Sequence, residues 1–369
     1  MRGGNEVSLL HGGGGILEAT RALIQSARCS LRFEMYIWQP DAVGREMADL
    51  LVLALGRGVR VHGIVDHLGS LGAAPLVEQV RKAGGEVRLY HPVGLWRPLR
   101  VWNRRNHRKV VVADGLEAVV GSGNWGEEYD VRRTEAAYLD LGVRLRGPSV
   151  QDLDADFRRV WGRAGPGTLP PQEAAGLALD REGAWFSDAT VQVVTSLQRF
   201  GSRAIRRHME LLVRQAQGRL WIANAYFIPT AGLRMLLARA ARRGVDLRLL
   251  LPGVSDNPVA LAASRAGYGI LLRAGATILE REGRFLHAKA ALLGSDTALI
   301  GSANLDSRSF RHNLELNLLI QHEGFARELE GAFLRQLPDS RVIGLGDWEA
   351  RPWWVRCWQQ AAYALRWWL

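Results

Sequence analysis

Apolar positions recur at helical spacing over residues 16–27 and again near 43–56, and each stretch leads into a run rich in branched and aromatic residues. Those runs, LRFEMYIW (31–38) and VRVHGIVD (59–66), read as strands, the second entered past the glycines Gly56 and Gly58 that end the helix before it. The same rhythm returns later as a helix over 204–217, a strand in RLWIANAYFI, a helix over 231–243 and a strand in GVDLRLLLP. RGVRVHGIVD and RGVDLRLLLP hold matching places in the two series. Strands alternating with helices predict an α/β fold. Between the series, GRAGPGTLPPQEAAG (162–176) has the glycine and proline density of a connection. The expected organisation is a first domain over 1–165, a second over 166–345, and a Trp-rich amphipathic segment over 346–369.

The polar positions inside the apolar runs carry the repeat further. HAKAALLGSDTALIGSAN (287–304) places His287 and Lys289 two residues apart, on one face of a core strand. Buried cations are costly unless something negative sits before them. HRKVVVADGLEAVVGSGN (107–124) repeats the arrangement at a constant offset of 180 residues. His107, Lys109, Gly121, Ser122 and Asn124 match His287, Lys289, Gly301, Ser302 and Asn304. Glu135 and Glu315 keep the same offset, each 28 residues past its histidine. This is an internal duplication, and duplicated polar positions predict one site assembled from two halves.

Bulk properties narrow the class. The 369 residues suffice for two ordinary domains, and at 47% apolar and 23% charged the chain is globular. A net charge of +11, carried mostly by arginine, favours polyanionic partners, nucleic acid or an anionic membrane surface. Two distant cysteines supply no disulfide framework and fit a reducing compartment. No apolar run of 18 residues is present, so a membrane span is not expected and any attachment would be peripheral.

H-x-K followed by G-S-x-N, present twice, resembles the phospholipase D superfamily. NAYFIPT, then LPGVSDNPVALAASRAGYGILLRAGATILER, then FLHAKAALL are similar to bacterial cardiolipin synthases, as are RNHRKVVVADG and SANLDSRSF. The resemblance covers roughly residues 5–340. It implies two tandem α/β/α sandwich domains about a pseudo-twofold axis, with a cleft between them. It implies phosphatidyl transfer through a phosphohistidine, with no metal and no cofactor, joining phosphatidylglycerol to a phosphatidyl group from a second phospholipid such as phosphatidylethanolamine. One imidazole would attack phosphorus and the other would protonate the leaving oxygen, which a group titrating near neutrality can do in both states. The resemblance implies His107 as nucleophile and His287 as acid; the sequence by itself does not order them. Lys109 and Lys289 would clamp nonbridging oxygens, Asn124 and Asn304 would donate to them, and Ser122 and Ser302 are further candidate donors. Glu135 and Glu315 would each orient the imidazole of its own half. The family's aspartate five residues after the lysine is Asp114 in the first half, but Gly294 stands at that place in the second, with Asp296 two positions on. Its expected work is hydrogen bonding of loop backbone.

Two further stretches bear on the substrate. HPVGLWRPLRVWNRRNH (91–107) offers Trp96, Trp102, Arg104 and Arg105 beside the first motif, suited to lipid phosphates at a headgroup surface. WEARPWWVRCWQQAAYALRWWL (348–369) holds six of the thirteen tryptophans, and as a helix after Pro352 it lines up Trp354, Trp358, Ala361, Leu365 and Trp368 on one stripe. The expected protein is a phosphatidyltransferase peripheral to the cytoplasmic face of a membrane. The alternatives are a phospholipid hydrolase, a nuclease or phosphodiesterase of the same superfamily with nucleic acid as the less favoured partner, and a non-catalytic lipid-binding module.

Overall fold

A computed structural model describes residues 1–94, 102–172, 183–196 and 204–368. Trp96 lies outside the described residues. The first half contributes strands β1 (Arg2–His11), β2 (Ser30–Met35), β3 (Arg60–Asp66), β4 (Glu86–Tyr90), β5 (Val110–Ala113), β6 (Glu117–Gly121) and β7 (Leu141–Arg146). The second contributes β8 (Phe186–Thr195), β9 (Arg219–Asn224), β10 (Asp246–Pro252), β11 (Thr277–Arg281), β12 (Lys289–Leu293), β13 (Thr297–Gly301), β14 (Leu316–Gln321) and β15 (Ser340–Val342). Among the described residues they form one sheet in the order β15-β11-β10-β9-β12-β13-β14-β8-β1-β7-β6-β5-β2-β3-β4.

Read outward from the centre, the two sides of this sheet are the same fold. β1-β7-β6-β5-β2-β3-β4 is matched strand for strand by β8-β14-β13-β12-β9-β10-β11, and the copies meet where β1 pairs antiparallel with β8. In each copy the outer three strands run parallel and the motif-bearing hairpin runs antiparallel to them. Parallel neighbours require helical crossovers, which the helices Ala42–Gly56 and Ala231–Arg242 provide. Asp41 caps the first through Gly44 N at 2.8 Å, and Thr230 caps the second through Leu233 N. β5, β6 and β7 are buried along their whole length, as strands covered on both faces must be.

Two apolar cores lie between each half's sheet and its own helices, one around Phe33, Met47 and Trp125, the other around Leu237, Leu249 and Tyr268. A third runs through both halves, joining Val110 and Val120 to Ala290 and Ile300. The halves are therefore welded, and the two motif hairpins sit against this shared core.

The motif glycines have a packing reason. A Cβ on Gly301 would stand 2.2 Å from the Leu316 carbonyl oxygen of the neighbouring strand. The Asp-to-Gly difference between the halves also has a local reason. Asp114 (φ 51°) and Gly294 (φ 55°) occupy the same left-handed conformation, and glycine holds it without strain. Both donate their backbone N–H to the start of the second strand of their half, to Ser30 O at 2.9 Å and Arg219 O at 3.1 Å.

Candidate active site

Each H-x-K stretch enters its hairpin from a bridge with the other half. Asn106 bridges Leu314, and His107 N donates to Leu314 O at 2.9 Å; Leu139 bridges Leu286, and His287 N donates to Leu139 O at 2.9 Å. The crossing continues in the side chains. His107 Nδ1 lies 3.1 Å from both oxygens of Glu315, and His287 Nδ1 lies 2.8 Å from Asp140 Oδ1. Each of these two imidazoles is held by a carboxylate from the opposite half.

Two sequence expectations change accordingly. Glu315 orients His107, not the histidine of its own half. Glu135 sits exposed in the turn before β7 and orients neither; Asp140 does that work for His287. Asp140 and Glu315 each immediately precede the seventh strand of their half, in LDL and LEL contexts, and the first half carries five more residues between its asparagine and that strand. Fixed numerical offset hid the equivalence, while the strand-entry pattern Leu-acid-Leu carried it.

The serines follow the same logic. Ser122 Oγ donates to Asp140 Oδ1 at 2.5 Å and Ser302 Oγ donates to Glu315 Oε2 at 2.5 Å. Their hydroxyls are thus engaged with the carboxylates that hold the two histidines. Ser309 Oγ adds a bond to Glu315 Oε1 at 2.8 Å. Asp114 hydrogen-bonds loop backbone: its two oxygens accept from the backbone N–H groups of Arg28, Cys29 and Ser30 at 2.7–2.8 Å. Arg105 is fully buried and paired with Asp66 at 3.1 Å, with its guanidinium also bonded to the carbonyls of Tyr90 and His91. That correction has a plain cause, because the buried Asp66 carboxylate requires a counter-charge. Arg104 and Trp102 stay exposed.

His107, His287, Asn124 and Asn304 line one cleft of about 360 Å³, together with Tyr36, Tyr129, Arg308 and Trp368. Lys109 Nζ donates to His107 O at 2.7 Å; Lys289 Nζ donates to His287 O at 2.6 Å and to His287 Nε2 at 2.9 Å. The Asn124 amide donates to Tyr129 Oη at 2.6 Å and accepts from Ile37 N, which leaves it a second N–H. Asn304 Oδ1 is buried among the described residues with no partner. The Tyr36 ring lies 4.7 Å from His107 and the Tyr129 ring 5.5 Å from His287, walling each imidazole. The tyrosines and Arg308, with nothing in their spacing to mark them, are brought in only by the fold.

Burial and the crowding of cations set the charge states. Burial, then Lys109 and Lys289, hold His107 well below its ordinary range. Burial also lowers His287 and is seconded by Lys289, while Asp140 works the other way. Burial pushes Lys289 down to about 8 and Lys109 well below the usual lysine range. Burial alone would raise Asp140, but the His287 charge and hydrogen bond, with Lys289 and Ser122, hold it below the ordinary value. Burial pushes Glu315 up to about 7 despite Lys109 and its hydroxyl donors. An anion entering beside the two lysines would oppose the effect of burial and favour their charged forms.

The family model described as "Cardiolipin synthase, PLD-like domain" matches the chain twice, over residues 20–161 and 210–337. Cardiolipin synthase A of Pseudomonas aeruginosa is 36% identical over 344 residues, covering 91% of this chain and 68% of that protein. The major cardiolipin synthase of Bacillus subtilis is 30% identical, covering 95% of this chain and 73% of its own length. Among solved structures, the phosphatidylserine synthase of Haemophilus influenzae superposes with a TM-score of 0.73 at 14% identity, covering 98% of this chain and 95% of that one, a likeness of fold.

Proposed function

From the premise that the chain belongs to the cardiolipin synthase PLD-like domain family and is a phosphatidyltransferase of phospholipids, we propose that it makes cardiolipin by a two-step transfer through His107. The observation that carries this reading is the pair of imidazoles in one cleft, each held at Nδ1 by a buried carboxylate, with a lysine beside each. Nδ1 being occupied, Nε2 is the nitrogen each histidine has left for chemistry.

In the first step His107, neutral because burial and the lysines hold it so, attacks the phosphorus of a phospholipid through Nε2. The Nε2–P bond forms, the P–O bond to the headgroup alcohol breaks, and His287 gives its Nε2 proton to the departing oxygen. Glu315 faces the positive charge that develops on His107. Lys109 and Lys289 take the nonbridging oxygens, and the charge they bring suffices for a metal-free route. Lys289 donates to His287 Nε2, and a phosphate oxygen would draw it off and free that nitrogen to carry a proton. In the second step a hydroxyl of the phosphatidylglycerol headgroup gives its proton to the now neutral His287 and attacks phosphorus. The P–Nε2 bond breaks, and cardiolipin leaves.

Phosphatidylglycerol vesicles, with and without phosphatidylethanolamine, incubated beside a His107→Ala control test the reading. Cardiolipin made only by the unmodified protein is expected. Phosphatidic acid alone would replace transfer by hydrolysis, and no lipid product would direct attention to single-stranded DNA. A phosphodiester with a nitrophenolate leaving group, which needs no proton, separates the histidines: it restores the first step, seen as a burst of nitrophenolate, to His287→Ala but not to His107→Ala.

A further inference from the structure

The tryptophan-rich segment, apart from Trp368 in the cleft, is not used by the transfer reaction. It forms the helix Trp353–Ala364, whose inner face packs Ala362 among Ile228, Ala260 and Ala263 and sends Tyr363 Oη to Pro229 O at 3.0 Å. An apolar stripe would ordinarily be the docked face. Here it is the outer one: Trp354 is 61% exposed, Trp358 53%, Leu365 50% and Trp353 71%. Large apolar side chains left outward in this number are the kind of exposure that marks an interaction surface.

Along the helix's other flank lies a cavity of about 340 Å³ lined by Arg234, Arg273, Arg351 and Arg356, with Gln359 and Gln360. Among the described residues Glu349 is the sole carboxylate in its wall, and it is taken by Arg273 at 2.8 Å. Arg234 and Arg356 have no carboxylate partner among the described residues. At 100° per residue, Arg356 and Gln360 fall on one side of the outward arc and Trp354, Trp358 and Leu365 on the other. Trp353 lies between the two groups, so a surface meeting the arc there touches an indole and the Arg356 guanidinium together. Past the end of the helix the chain returns to the active site: Arg308 donates to Trp368 O at 3.3 Å, and Trp368 lines the cleft with both histidines.

We propose that the outward face of helix Trp353–Ala364, with the arginine-lined cavity on its flank, is a docking surface for an anionic phospholipid bilayer that sets the cleft mouth at headgroup level. Charge decides the occupant, because a bilayer of anionic lipids supplies both the phosphates that the unpaired guanidiniums lack and the interfacial zone that indoles prefer. The proposal deepens the lipid reading above and rests on it, but binding is measured without turnover, so the two fail separately.

The test is co-sedimentation of the whole protein with vesicles of phosphatidylglycerol in phosphatidylcholine, against phosphatidylcholine alone. The Trp354→Ser/Trp358→Ser pair is expected to weaken partitioning into both kinds of vesicle, by at least about tenfold. Arg356→Glu changes local charge by two units and is expected to weaken binding to the anionic vesicles roughly thirtyfold, leaving the zwitterionic ones unaffected. Both sites are exposed, and an unchanged thermal midpoint checks the fold. Equal binding by wild type and both variants would overturn the proposal. So would a tryptophan variant that keeps vesicle binding but loses a concentration-dependent dimer, which would make the face a contact between copies.

Discussion

Asp140→Asn removes one charge and almost nothing else. In the structure Asp140 Oδ1 accepts both the Ser122 hydroxyl and the His287 Nδ1–H, while Oδ2 has no partner among the described residues. An asparagine with its oxygen at the Oδ1 position keeps both bonds and places its NH2 where Oδ2 stood. The geometry survives, and burying an unpartnered amide costs about 1–3 kcal/mol of stability. The chemistry does not survive so well. A hydrogen bond to a buried charge contributes about 1.5–3 kcal/mol, and the Asp140 carboxylate supplies that support to the charged imidazole. Asp140 raises His287, so its loss lowers a group that burial and Lys289 already depress. A proton donor at His287 then becomes scarcer near neutrality. Loss of orientation and of support for the imidazolium in flight extends the expected fall in kcat to about 10²–10⁴. The assay is cardiolipin formation on vesicles, with histidine titration by NMR to read His287 directly. Glu135→Gln, at the exposed position that matches Glu315 by offset, is the control and should leave turnover within about threefold of wild type. An Asp140→Asn enzyme of wild-type activity, or a Glu135→Gln enzyme as damaged as it, would refute the crossed arrangement.

Asp114→Ala strips the acceptor from three backbone N–H groups and should lower unfolding stability by about 2–4 kcal/mol in a denaturant titration. Gly294→Ala, with nothing within 4 Å of the new Cβ, should cost about 1 kcal/mol from its left-handed backbone alone and leave kcat unchanged. Arg105→Ala leaves Asp66 buried without its counter-charge, and a destabilisation of about 3–5 kcal/mol is expected by thermal unfolding, in contrast to the mild KM effect of a substrate-contacting arginine. Lys289 works as an ammonium and its pKa is depressed to about 8, so the free enzyme loses the working form as pH rises through that value. The pH profile of kcat/KM should therefore decline above about 8, and one that stays flat to about pH 10 contradicts the role given to Lys289.

Much of this protein was written locally. Periodicity gave the βαβ series in each half, because a helix or strand announces which of its faces is buried. The two H-x-K hairpins and their asparagines were legible because a short, gapless stretch preserves its own geometry, and the duplication made them a pair. What the local signal could not hold was partnership across the β1–β8 seam. Glu135 keeps the numerical offset of Glu315 yet stands in solvent, while Asp140 breaks the offset and holds His287. Five additional residues before β7 shift the count but not the strand, and a carboxylate's reach is set by where its strand begins. Arg105 and Arg104 are neighbours in sequence, and only packing buries one against Asp66 and exposes the other. The tryptophan stripe was visible from its spacing, but the side it faces was chosen by Ala362 and Tyr363 finding a seat on the second half. The sequence by itself determined the chemical groups and the repeat. Tertiary structure decided which carboxylate serves which imidazole, because that depends on two chain segments meeting from opposite halves.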